Sequence, residues 1–175
     1  LIDDLGFGVP SSFGGPIAMP TLDQLANNGL KYNNFHTTAL CSPTRASILT
    51  GLYPARIGIT VPVCHLPVEH LQATLKKTAT PNYKALEVAS ATRLSTNYFT
   101  LAEALKKAGY ATGHFGKWHL GSEPYSPLQQ GFDVDVPHHS GPGPAGSYVA
   151  PWKYPAELKF TGAPGEHIDD RMARE

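Results

Sequence analysis

The residues able to do chemistry fall into three separated groups. Asp3 and Asp4 are adjacent carboxylates, Cys41 stands four positions before Arg45, and Lys117 stands two before His119. Paired carboxylates suit a hard cation such as calcium or magnesium. Arg and Lys suit a tetrahedral oxyanion, since both donate charge-assisted hydrogen bonds to its oxygens. A thiol beside them can act as a nucleophile. Zinc fits less well, because no His/Cys cluster has ligand spacing. Gly6-Phe7-Gly8 and Gly14-Gly15 match neither nucleotide fingerprint.

These groups need elements to hold them. Leu1-Ile2 reads as the tail of a buried strand that ends at Asp3-Asp4. A Gly/Pro/Ser loop follows, and Thr21 is placed to cap a short helix over 22–28 that Gly29 ends. Residues 30–37 read as extended. Pro43 suits the first turn of a helix that starts at Cys41 and stops at Gly51, so the thiol would sit at a helix N-terminus, which favours anions. Thr100-Leu-Ala-Glu103 is a capping box for a helix running to Gly109, and residues 110–115 read as a buried strand ending just before Lys117. Helix, glycine and strand in that order indicate an α/β unit, whose ligands sit beyond the carboxyl ends of its strands. Lys117 and His119 would share one face of an extended segment, with Trp118 turned into the core.

Residues 61–98 mix Pro, Thr, Lys and Ala and read as an insertion with some helix. Residues 121–165 are dense in Gly and Pro and read as an ordered loop region. The final residues, 166–175, read as the opening of a helix. Both ends look cut, so the chain is taken as part of a longer one. Lys+Arg and Asp+Glu balance at 14 each among 175 residues. That balance argues against a nucleic-acid partner or a polybasic membrane patch. No apolar run reaches the roughly 18 residues of a membrane span. Two cysteines, Cys41 and Cys64, are too few for a disulfide framework.

Cys41-Ser42-Pro43-Thr44-Arg45, continued by Ser47-Ile48-Leu49-Thr50-Gly51, resembles the signature of type I sulfatases. Gly116-Lys117-Trp118-His119-Leu120-Gly121 resembles their second signature, and Asp3-Asp4-Leu5-Gly6-Phe7-Gly8 their N-terminal metal motif. Three motifs in the family's order are a specific signal. The resemblance implies an alkaline-phosphatase-like α/β sandwich with a large, mostly parallel central sheet and helices on both faces, of which residues 1–175 would be the N-terminal portion.

The resemblance also implies roles. Cys41 would be converted by a formylglycine-generating enzyme to formylglycine, whose hydrate attacks sulfur and then collapses to release sulfate. Asp3, Asp4 and the Cys41-derived residue would hold calcium. Arg45 would steady the hydrate, Lys117 would bind the sulfate, and His119 would hold the hydrate and take its proton. Substrates would be aryl or carbohydrate sulfate esters, and family members are commonly periplasmic, secreted or lysosomal. The remaining metal ligands and the leaving-group acid would lie in later sequence.

No motif fixes the other candidates. His139 and Ser140, with His138, lie where relatives line the substrate pocket. Tyr148, Trp152 and Tyr154 suit either a stacking surface or loop packing. His114 reads as a satisfied core histidine, Cys64 as a structural thiol, and His36, His65, His70 and His167 receive no role. Two other functions use the same machinery: hydrolysis of phosphate or phosphonate esters, and binding of sulfated ligands by an inactive relative.

Overall fold

Pro20, not Thr21, opens the first helix. The computed structural model describes residues 1–175, and α1 spans Pro20–Asn28 with Met19 at its N-cap and Pro20 at its first position. Proline fits there because its missing N–H has no intrahelical acceptor to lose. The Ser11 hydroxyl anchors the entry, accepting from the Met19 amide at 2.9 Å and donating to Asp23 at 2.7 Å. These residues belong to the first of two compact units, Leu1–Cys41 and Ser42–Glu175. In that first unit Leu1-Ile2 forms no strand, and neither do residues 30–37, which run without a ladder.

Helix α2 spans Cys41–Thr50, and Gly51 ends it with φ 69°. That is the left-handed conformation in which glycine has no side chain to strain. A short helix, α3, covers Pro54–Ile57. Residues 61–98 contain no helix. They hold an antiparallel pair, β1 (Thr74–Leu75) and β2 (Val88–Ala89), and their ends run into the core. Ile59, Cys64, Ala91 and Leu94 pack there with Ala46, Ile57, Trp118 and Leu120. The buried Arg93 guanidinium lies beside this cluster and spends its donors on the carbonyls of Cys64, Thr92 and Leu66. A buried cation bonded to backbone carbonyls fastens segments without adding an acid.

The capping box forms in full. The Thr100 hydroxyl accepts from the Glu103 amide, and the Glu103 carboxylate accepts from the Thr100 amide, at the start of α4, Leu101–Lys107. Next comes β3, Gly113–Phe115, shorter than the 110–115 strand expected. Its partner is β4, Val134–Val136, inside the region read as loop. The two pair in parallel, placing His114 opposite Asp135. Three residues give too short an alternation to mark β4 in the sequence, and its pairing is non-local. This pair is the α/β element of the chain. The buried strand expected over 110–115 is not found. Gly113 and Phe115 are exposed, Phe115 at 46%, and only His114 between them is half-buried. Beside the pair, the carboxyl of Asp133 is held down to about 2 by Lys106 and by bonds from Thr112. A last helix, α5, covers Ile168–Met172 with His167 as its N-cap. No helix is long and apolar enough to cross a membrane.

Candidate active site

The first turn of α2 is fastened to the segment that follows β3. The Ser42 hydroxyl donates to the His119 carbonyl at 2.8 Å, and Arg45 Nη1 donates to the Lys117 carbonyl. Ser42, Pro43 and Ala46 are buried along the same helix face. Two of the three predicted groups therefore meet through backbone carbonyls, with residue separations of 72 and 77. Cys41, the first residue of α2, is a half-buried thiol.

Residues 116–121 owe their path to their glycines. Gly116 leaves β3 at φ 105°. Gly121 has φ 121°, and a Cβ there would lie 2.4 Å from Arg93 Cδ and 3.2 Å from Tyr125 Cβ. Only glycine fits both the angle and the space. Trp118 is buried as expected, and its Nε1 donates to the Tyr125 carbonyl at 3.0 Å. The expected alternation of Lys117 and His119 on one extended face is not what forms. His119 takes a left-handed backbone at φ 55° and is 1% exposed. A side chain that is not glycine tolerates this region only when its surroundings enforce it, and such residues cluster at functional sites.

A residue without a predicted role stands beside His119. His65 Nδ1 lies 2.9 Å from His119 Nε2. His114 is satisfied, as expected, by Asp135 at 2.6 Å and the Lys117 carbonyl at 3.2 Å. Asp135, with its side chain only 2% exposed, also pairs with His138 at 2.8 Å. His138, at φ 62°, reaches Glu123 at 3.4 Å. Sequence reading missed both His65 and Asp135. The Asp135/His138 spacing of three was a faint local signal, but nothing local ties His65 to His119.

His138, His139 and Ser140 are brought together. They line a cavity of about 270 Å³ with Trp118, Ser126 and Asp135 among its other walls. Burial holds the His139 imidazole below its ordinary range, toward the neutral form. Tyr154 meets His139 edge-on at 5.1 Å and Phe160 at 5.4 Å, while Trp152 stacks on Phe160 at 5.4 Å. These rings pack against one another. Tyr148 stands apart, stacked on His167 at 6.2 Å.

Asp3 and Asp4 are both exposed in a turn where Asp4 has φ 55°. Their oxygens are the donor type that calcium takes, but they supply only part of the roughly six to eight ligands it needs. No three His, Cys, Asp or Glu side chains converge on one point.

The sulfatase family model matches residues 1–174. The chain belongs to the sulfatase family. It is 37% identical over 149 residues to arylsulfatase A from Bos taurus, an alignment covering 81% of this chain and 25% of that protein. It is 38% identical over 136 residues to N-acetylgalactosamine-6-sulfatase from Homo sapiens, covering 76% of this chain and 23% of that one. The chain thus spans about a quarter of the length of these relatives. Among solved structures it resembles a sulfatase described with the metabolism of multiple glycosaminoglycans by Bacteroides thetaiotaomicron. That likeness has TM-score 0.51 and 32% identity, over 76% of this chain and 26% of that one. The structure of Ps i-CgsB with k-i-k-neocarrahexaose aligns over 98% of this chain and 38% of its own, at TM-score 0.61 and 22% identity. The fold is accordingly the alkaline-phosphatase-like α/β fold, of which this sulfatase-family chain is a part.

Proposed function

We propose that the protein hydrolyses sulfate esters, aryl or carbohydrate, with a formylglycine made from Cys41 as its nucleophile. The observation that carries this reading is the fastening of α2 to residues 117–119 in a chain of the sulfatase family. It joins Arg45, Lys117 and His119 through bonds that do not depend on a ligand. Cys41 opens the ten-residue helix so fastened, where the free N–H groups and dipole of the helix favour an anion.

In this reading Lys117 binds a sulfate oxygen and draws charge from it as the ester oxygen leaves. Arg45 steadies the residue at position 41. His119 accepts a proton from its hydroxyl, releasing sulfate. Asp3 and Asp4 would hold calcium together with the residue at position 41, and the ion would lower the charge on sulfate and the pKa of the attacking hydroxyl. Preorganised charge of this kind usually supplies most of the rate enhancement. His139 and Ser140, on the wall of the cavity, would contact the group that carries the sulfate.

The test is made on the full-length protein, produced with a formylglycine-generating enzyme. Trypsin releases residues 32–45 as one peptide, whose mass should show an aldehyde in place of the Cys41 thiol. The same sample should turn over an aryl sulfate far faster than the matching aryl phosphate, and Cys41→Ala should abolish turnover. An unmodified, dispensable thiol would overturn the nucleophile, and preference for phosphate would overturn the substrate class.

A further inference from the structure

His119 is buried on a backbone already fixed by its left-handed φ and by the Ser42 bond to its carbonyl. Those constraints do not say which way its imidazole faces. Turning the ring over puts Cδ2 and Cε1 where Nδ1 and Nε2 stood, and which nitrogen carries the proton is set by the hydrogen bonds the two make. One contact distinguishes Nε2: His65 Nδ1 lies 2.9 Å from it, with ring centroids 5.2 Å apart.

The segment carrying His65 is itself held. The buried Arg93 donates to the carbonyl before His65, at Cys64, and to the one after it, at Leu66, at 3.2 and 2.7 Å. The Leu66 amide donates to the Val63 carbonyl at 3.0 Å, and Cys64 is 1% exposed in the core. His65 is therefore an exposed ring on a fixed backbone. A ring protonated at Nε2 presents Nδ1 as an acceptor. With His65 Nδ1 as the acceptor, the proton between the two rings sits on His119 Nε2, and His119 Nδ1 is the basic nitrogen.

We infer that His65 is a positioning residue, holding the His119 imidazole in one orientation and in the Nε2–H tautomer. The inference rests on the proposed role of His119 as proton acceptor, because a ring protonated at Nδ1 could not accept there. Partners that orient a reacting histidine in this way typically matter by tenfold or more.

The full-length, matured enzyme labelled with 15N-histidine provides the test. A coupling across the hydrogen bond between His65 Nδ1 and His119 Nε2, with the proton on His119, is expected. His65→Ala should lower kcat about tenfold with KM nearly unchanged. His65→Asn, whose amide oxygen can accept in place of Nδ1, should recover most of that loss. Wild-type kcat in His65→Ala, an equal loss in His65→Asn, or a proton on His65 Nδ1 would each overturn the inference. If the enzyme prefers phosphate esters, the substrate reading fails, and the Ala/Asn contrast measured on phosphate still decides the role of His65. If no ester is turned over, the labelled histidines alone decide it.

Discussion

Two neighbouring regions are built on different bonds. Residues 117–121 are fastened at four points by donors that do not titrate near neutrality, each bonded to a backbone carbonyl, beside the ring contacts that His114 and His65 make. Ser42 binds the His119 carbonyl, Arg45 that of Lys117, and the Leu94 amide that of Leu120. Trp118 binds the Tyr125 carbonyl. The cavity beside it is held by ionisable side chains, with His114, Asp135, His138 and Glu123 joined in one chain. A segment of the first kind keeps its shape when pH or bound charge changes. A wall of the second kind depends on the charges of its members, and burial holds His139 on it toward the neutral form. The proposed chemistry falls on the rigid part, and the part proposed to meet varied substrates is the responsive one.

Gly121→Ala would break the rigid part most severely. The new Cβ meets Arg93 Cδ, and Arg93 cannot withdraw without giving up three carbonyls. The unfavourable φ adds to this, so a loss of roughly 2–4 kcal/mol is expected in denaturant unfolding of the full-length protein. A neutral result would mean that the 117–121 segment has slack. Ser42→Ala is the milder probe, leaving the buried His119 carbonyl without its hydroxyl donor. It should cost about 1–2 kcal/mol, and the loss should be the same at pH 6 and pH 8. A loss that varies over that range would blur the distinction between the two regions.

What could be read in the sequence was the local part. The Thr100/Glu103 capping box, the Cys41–Thr50 helix and the stop at Gly51 depend on neighbours within a few residues, and each formed as expected. That residues 116–121 would lie near the start of the Cys41 helix was legible from the motifs, but their geometry was not. Alternation assumes an extended backbone, and the left-handed turn at His119 breaks it. The strand over 110–115 was overestimated because its apolar residues imitate a buried strand, while only Gly113, His114 and Phe115 find a ladder. His65 carried no signal and Asp135 only the faint one of its spacing from His138, since they meet His119 and His114 across 54 and 21 residues of chain. Residues 61–98 were opaque for the same reason: their core contacts are non-local and have no period to read.

The smallest expected effect lies in the responsive wall and tests it directly. Burial lowers the His139 pKa below its ordinary 6.5, so the unfolded chain takes up this proton before the folded one does. Stability therefore rises with pH across that interval. The contribution of His139 is complete above about pH 6.5 and is lost as pH falls from there toward the folded value. His139→Gln removes the titration while keeping a polar side chain on the cavity wall. Between pH 7.5 and pH 5 the melting temperature of the parent should fall further than that of the variant, by less than the shift produced by Ser42→Ala. Equal falls would mean that His139 reaches water in the whole protein.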